Sequence, residues 1–273
     1  VTPASVGPIA SPPLPDGPAV WDDAVAASGG RWRGVEVVPR TASTNADLLA
    51  RCEAGEAPGV VLVAEHQTQG RGRLDRTWES PAGTGLTFTA SVAPTVDRSA
   101  WGWLPLLAGL AVVEAVQERT GLSAGLKWPN DVLVGDRKLG GLLVQVAANA
   151  PVAVIGIGIN THLRAEAMPV PEATSLVLEG ADAEGADRVR LLTAILGRLA
   201  VRMADLDAGP SDQAMADYRN ACVTLGRHVD IARTSAAHVR GVVADVADDA
   251  ALVVDVHGDG TVHVAAGDVT HLR

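Results

Sequence analysis

Three arginines, Arg71, Arg73 and Arg76, stand in the run GRGRLDRTW from Gly70 to Trp78. Guanidinium forks meet phosphate or carboxylate oxygens two at a time. Glycine lets a backbone come close to a ligand and take positive φ. The run therefore suits an anionic ligand, with Trp78 placed to cover a planar group. An exposed turn with solvated arginines has the same composition, so the run alone does not decide. A second run, LKWPNDVLVGDRKLGG, holds both lysines of the chain, Lys127 and Lys138, among 22 basic residues. Lysine is a compact charge that follows a reacting centre where a planar fork does not; an arginine-biased composition gives the same count by chance. Asn130 and Asp131 set an amide beside a carboxylate, which could hold Mg²⁺ or fix an arginine of the loop. Gly140-Gly141 leaves room beside Lys138. An ordinary Asn-Asp hairpin turn explains that spacing equally well.

Ser43-Thr44-Asn45 offers three small polar groups at a helix start, where capping alone accounts for Ser43 or Thr44. In GIGIN, Gly156–Asn160, the third glycine of a dinucleotide fingerprint would fall at Thr161, so the run reads as a glycine-bearing strand beside a ligand or another strand. No GxxxxGK[ST] or GxSxG run occurs, the seven histidines lack metal spacing, and Cys52 and Cys222 have no catalytic context.

These groups need a scaffold, and the chain has one. Of 273 residues 47% are hydrophobic and 20% charged, which excludes a mainly disordered chain. The net charge of −10 argues against coating nucleic acid or anionic lipid. Two cysteines suit a reducing compartment. No export signal is evident, and the apolar stretches Leu104–Val113 and Val152–Ile159 fall short of the roughly 20 residues of a membrane span. The expected location is the cytoplasm.

Strands are expected at Val35–Val38, Val60–Ala64, Leu86–Val92, Gly125–Trp128, Asp131–Val134, Lys138–Ala147 and Val152–Ile159. Helices are expected at Asn45–Arg51, capped by Thr44 with Asp47, at Ser99–Thr120, closed by Gly121, and at Asp187–Asp207 and Asp212–Tyr218. Consecutive hairpin-like strands predict an α+β fold with a largely antiparallel central sheet. From Cys222 onward short strands at Val229–Ala232, Val239–Val246, Leu252–Val256, Thr261–Ala265 and Val269–Leu272 predict a small β-barrel. The expected organisation is a flexible Pro-rich arm over 1–34, pinned by Trp21 and Trp32, a catalytic domain over 35–221 and the barrel over 222–273. The polar loop from Glu65 to Gly85 is long enough to signal function, and residues 68–80 are expected to be mobile without ligand.

STN at Ser43–Asn45, QxxGRGR at Gln67–Arg73 with Trp78, KWPND at Lys127–Asp131, RKLGGLL at Arg137–Leu143 and GIGIN occur in one order. Together they resemble the biotin protein ligases, from Val35 to the C-terminus. The resemblance implies a central mixed, largely antiparallel sheet like that of class II aminoacyl-tRNA synthetases, with a C-terminal SH3-like barrel. It implies an enzyme that joins biotin to ATP as biotinyl-5′-AMP and then to a lysine of the biotin carboxyl carrier domain of an acetyl-CoA or acyl-CoA carboxylase, with Mg²⁺. It implies that Ser43, Thr44, Asn45, Gln67, Arg71, Gly72, Arg73, Lys138, Gly140 and Gly141 bind biotin. It places Trp78, Lys127, Asn130, Asp131 and Asn160 on the adenylate, with Asp131 toward the metal and Lys138, Arg71 and Arg73 at the chemistry. The arm is too short for the N-terminal helix-turn-helix of regulatory members, so a monofunctional ligase without DNA or membrane partners is expected. Asp75 stands where a second glycine is common, which puts the loop's conformation in question. Lipoate ligation on the same fold, and a non-enzymatic biotin-sensing regulator, are the alternatives.

Overall fold

The computed structural model describes residues 11–74, 76–168, 170–209, 211–233, 236–258 and 260–272. Asp75 and the arm's first ten positions lie outside them. Seven strands form the main sheet: β1 Gly34–Val38, β2 Val60–Ala64, β3 Gly85–Val92, β4 Ala124–Lys127, β5 Asp131–Val134, β6 Arg137–Val146 and β7 Ala153–Asn160. Their order is β1-β2-β3-β7-β6-β5-β4. Only β1 and β2 run parallel; the other neighbours are antiparallel.

Side-chain alternation divides this sheet into two unlike faces. Val61, Val63, Leu86, Phe88, Ile155 and Ile157 enter the main core. There they meet α3 (Trp103–Thr120) and α4 (Arg188–Asp207), with α5 (Asp212–Ala221) alongside. The other face carries Val60, Leu62 and Val154 against Leu48 and Cys52 of α2 (Thr44–Glu53). Next to that patch it changes character: β3 presents Thr87 and Thr89, and β7 presents Gly156 and Gly158. This stretch has little apolar bulk to bury, and the candidate site lies on it.

The expected Ser99–Thr120 helix is a 3-10 turn, Arg98–Gly102, followed by α3. Gly121 closes α3 at φ 72, where a side chain would be strained. The 23 residues Arg98–Thr120 have the length and hydropathy of a membrane span, yet 72% of the apolar window is buried inside the fold. The second sheet holds β8 His228–Arg233, β9 Ala236–Val246, β10 Leu252–Val256, β11 Gly260–Val264 and β12 Asp268–His271, all antiparallel in the order β11-β10-β9-β8-β12. Trp103 Nε1 donates to Asp248 O at 2.7 Å and Trp128 Nε1 to Ala250 O at 3.1 Å, so two buried indoles tie this β unit to the first.

The arm departs from expectation. Residues 11–34 include a 3-10 turn, Pro18–Trp21, and α1, Asp22–Ala27. Leu14, Trp21 and Trp32 are buried, and Trp32 Nε1 donates to Leu196 O at 2.9 Å. Burying an indole removes a large apolar area from water, which outweighs the chain entropy that proline-rich composition suggested. The N-cap of α2 also differs: Ser43 accepts from Ala46 N, while Asp47 bonds Thr41 rather than closing a capping box.

Two half-buried histidines set an acid limit. Burial lowers the pKa of His162 from the ordinary 6.5, the Arg188 charge adds to this, and Asp187 opposes it. Burial also lowers His271, helped by Lys127 and Arg227 and opposed by Asp136. Unfolding frees both rings, so just below pH 6.5 the unfolded chain binds more protons than the folded one. Their contribution is intact above that pH and is lost as the pH falls through the folded-state values. The thermal midpoint is expected to drop between about pH 7 and pH 5.5, and to drop less in a His162→Gln/His271→Gln variant; equal slopes would contradict this.

Candidate active site

The α2 N-terminus, the Gly70–Trp78 loop and strands β3, β7 and β6 enclose a cavity of about 100 Å³. Thr44 donates from both N and Oγ1 to Gln67 Oε1, at 2.8 and 3.0 Å. That fixes the Gln67 amide and leaves its NH₂ as a donor. Asn45 Nδ2 donates to Leu143 O at 3.0 Å and Gln145 Oε1 at 3.1 Å. Thr89 Oγ1 lies 2.8 Å from Thr44 Oγ1 and 2.6 Å from Asn45 Oδ1. It has one proton, so it donates to one of them at a time. This network fills one end of the cavity with oriented polar groups.

The loop folds back as a tight hairpin over the other end. Gly72 N donates to Arg76 O at 2.6 Å, and Trp78 N to Gly70 O at 2.9 Å. A Cβ on Gly70 would lie 2.3 Å from Trp78 O, so this glycine is required by close approach. The positive φ falls on Leu74, at 53°, rather than on the loop's glycines. Arg73 donates to Asn130 Oδ1 and to Gly267 O, both at 3.2 Å, and Arg76 pairs with Asp268. The small β unit thus holds the loop from above. Burial lowers the pKa of Arg73, opposed by Asp268 and Asp131.

Lys138 reaches the cavity through an irregularity. β5 pairs Val132 with Gly140 but Leu133 with Lys138, which leaves Leu139 as an extra residue in β6. Regular alternation would put Lys138 on the face opposite Gly141. The bulge aims it to the same face, while Leu139 enters the core. Lys138 Nζ then lies 2.6 Å from Asp131 Oδ1. Its backbone is fixed by Glu172 O and Thr174 N at 2.6 and 2.8 Å. Among the described residues the cavity wall has four cations, Arg71, Arg73, Arg76 and Lys138, against two carboxylates, Asp131 and Asp268. A strongly acidic chain has built a cationic interior at one place.

Ser43, Thr44, Asn45, Gln67, Arg71, Gly72, Arg73, Trp78, Asn130, Asp131, Lys138 and Gly141 all line this cavity. Three expected residues do not. Gly140 faces the core, where a Cβ would meet Gly158 O at 2.5 Å and Ile159 Cδ1 at 2.6 Å. Asn160 is buried and donates to Thr174 O at 2.9 Å, tying down the segment that holds Lys138. Lys127, at the end of edge strand β4, stands outside the cavity. Each was expected because it belongs to a run that carries the resemblance, and strand alternation or edge position separates it from the other residues of that run. Sequence reasoning missed Thr87, Thr89 and Asp268, while Gly156 and Gly158 line the cavity as part of the strand that GIGIN was read to form beside a ligand or another strand. The alternation of polar and apolar residues in LTFTASV was a signal for the two threonines. Nothing local signals Asp268.

Trp78 lies against Gly158: a Cβ there would fall 2.5 Å from the indole. Its Nε1 is buried without a partner among the described residues. A second, more open cavity of about 500 Å³ lies across the loop and shares Arg71, Arg73, Asn130 and Leu143 with the first. The loop is the partition between them. Cys52 and Cys222 are buried, and burial raises both thiols, which makes them poor nucleophiles.

A polar end, a cationic lid and one ammonium beside a carboxylate suit a ligand that is polar at one end and anionic at the other. Residues 37–161 match the biotin/lipoate A/B protein ligase family, and the chain belongs to the biotin protein ligases within it. It is similar to the biotin–[acetyl-CoA-carboxylase] ligase of Mycobacterium tuberculosis, 42% identical over 96% of this chain and 97% of that protein. It is 32% identical to the Paracoccus denitrificans protein of the same name, over 80% of this chain and 92% of that one. Among solved structures, the Aquifex aeolicus biotin protein ligase in complex with biotin and ATP superposes with a TM-score of 0.75 at 26% identity, covering 89% of this chain and all of that one.

Proposed function

We propose that this chain ligates biotin to a lysine of a biotin carboxyl carrier domain of an acetyl-CoA or acyl-CoA carboxylase, by way of biotinyl-5′-AMP. The observation that carries the reading is Lys138, turned by a β-bulge into a cavity with a polar end and an arginine lid. In the first step a biotin carboxylate oxygen attacks the α-phosphorus of ATP and pyrophosphate leaves. In the second, the neutral acceptor amine attacks the mixed-anhydride carbonyl, AMP leaves and an amide forms, with the amine's proton released.

The residues divide the work. Ser43, Thr44, Asn45 and Gln67 bind the ureido group, which has donors and an acceptor to match them. Lys138, Arg71 and Arg73 offset the repulsion between carboxylate and phosphate and stabilise the charge that develops on transfer. Gly72 lets the lid's backbone approach, and Trp78 covers the adenylate against water. Asp131 suits Mg²⁺ as a single carboxylate whose other ligands come with the phosphates. Bound there, Mg²⁺ would neutralise phosphate charge, with Asn130 alongside. Such a reaction belongs in the cytoplasm, where ATP and carboxylases meet.

Lipoate ligation is the second reading. A dithiolane ring forms no strong hydrogen bonds, so it would leave the Thr44–Gln67–Asn45 wall unmatched. Incubation with ATP, Mg²⁺ and biotin is expected to give biotinyl-AMP by mass spectrometry, with no lipoyl-AMP when lipoate replaces biotin. A lipoyl-AMP peak of equal size would overturn the assignment.

A further inference from the structure

The loop that carries Gln67, Arg71, Arg73 and Trp78 starts and ends on one buried guanidinium. Arg188, the first residue of α4, is 2% exposed. Its Nη1 donates to Glu65 Oε2 at 2.9 Å and to Gly85 O at 3.2 Å. Its Nη2 donates to Glu65 Oε1 at 3.1 Å and to Pro12 O at 2.5 Å. Glu65 is the first residue after β2, and Gly85 is the first of β3. Arg188 therefore grips both feet of the loop. The N-terminal segment completes the joint: Leu14 N bonds the Glu65 carboxylate, and Ser11 N donates to Gly83 O at 3.0 Å.

Stability alone is a weak reason for this arrangement. The positive end of α4 disfavours a cation in its first turn. Both charges also lose most of their hydration, and apolar pairs of similar volume generally serve a fold as well or better. The fork does what an apolar pair cannot, by fixing the spacing and direction of the two chain segments that lead into the lid. Resting on the reaction proposed above, the geometry points to Arg188 and Glu65 as positioning residues that set how the lid closes over biotin and retains the adenylate. Neither residue lines the cavity. Lys138 lies on β6, away from the joint, and keeps its place when the joint is lost, whereas Arg71 and Arg73 lose the fixed footing of their loop.

The test uses Arg188→Lys and the paired variant Glu65→Met/Arg188→Met in the full chain. Both are expected to melt cooperatively. Their KM for biotin is expected to rise about tenfold or more, with kcat falling by less than KM rises because Lys138 stays in place. Free biotinyl-AMP is expected to accumulate in solution, where the parent chain retains it. Amide exchange at Gly70–Arg73 should quicken in the absence of substrates. A folded variant with unchanged KM, no released adenylate and unchanged exchange would reduce the pair to a structural contact and overturn the proposal. If the paired variant does not fold, Glu65→Gln, which keeps the shape and weakens the fork, is read by the same three measures. If the parent chain makes no biotinyl-AMP, the reaction assignment fails, and exchange at Gly70–Arg73 still decides the positioning role.

Discussion

Lys138→Ala is expected to lower the rate of biotinyl-AMP formation about 10³-fold, roughly 4 kcal/mol of transition-state stabilisation at 1.36 kcal/mol per factor of ten. The ammonium is the one cation that the main sheet itself carries into the cavity; the arginines there reach it from the loop. Removing it leaves Asp131 facing two incoming anions without its partner at 2.6 Å. Lys138→Arg is not expected to restore the rate, because a planar fork spreads its charge and cannot reproduce the compact ammonium that meets Asp131 Oδ1 at 2.6 Å. Stability should change little, since Lys138 is one-third exposed and its ion pair is partly solvated. Pyrophosphate release in a folded Lys138→Ala protein checks this directly. A rate within tenfold of the parent would remove Lys138 from the reaction.

Gly156→Ala is expected to be the more damaging of the small substitutions. The new Cβ would stand 2.0 Å from Asn45 Oδ1. Asn45 is buried and holds Leu143 O, Gln145 and Thr89 at once, so it cannot move without leaving polar groups unpaired. Overpacking and broken bonds together should cost about 1–3 kcal/mol of stability. The KM for biotin should rise by about two orders of magnitude, because Asn45 and the adjoining Thr44 form the polar end of the cavity. Gly197→Ala, in the middle of α4 with nothing within 4 Å of the added atom, is the control and should be neutral or slightly stabilising. Isothermal titration with biotin, paired with thermal melts, separates the two effects. Unaltered biotin affinity in Gly156→Ala would show that the Asn45 network is not part of the binding wall.

Residue types alone left the site open: STN also reads as a helix cap, GRGR as a solvated turn and the lysine run as a hairpin. It is the order of these runs along one chain, and the resemblance to the biotin protein ligases that it carries, that implied a polar wall, a lid and an ammonium. The elements were legible too, since β-branched runs and glycine stops mark β2 and α3 plainly. What could not be read was parity. Lys138 and Gly141 are an odd number of residues apart, and no residue type announces the bulge at Leu139 that puts both on one face. The same blindness placed Gly140 in the pocket. Asp268 escaped because its partner, Arg76, is distant in sequence, and only the docking of one sheet on another brings them together. In the arm the prolines suggested flexibility and Trp21 and Trp32 suggested pinning; the described part, residues 11–34, follows the tryptophans, which are buried.

The bare backbone of β7 beneath Asn45 and Trp78 has a further consequence for anyone reshaping the enzyme. A trench whose floor already lacks side chains cannot be dug deeper. Accepting a bulkier vitamin analogue means cutting back the opposite wall, at Thr44 or the indole of Trp78, and each of those carries recognition or shielding. Broad tolerance and tight custody of the reactive anhydride are therefore in competition in this architecture, and selection for one should be seen to erode the other.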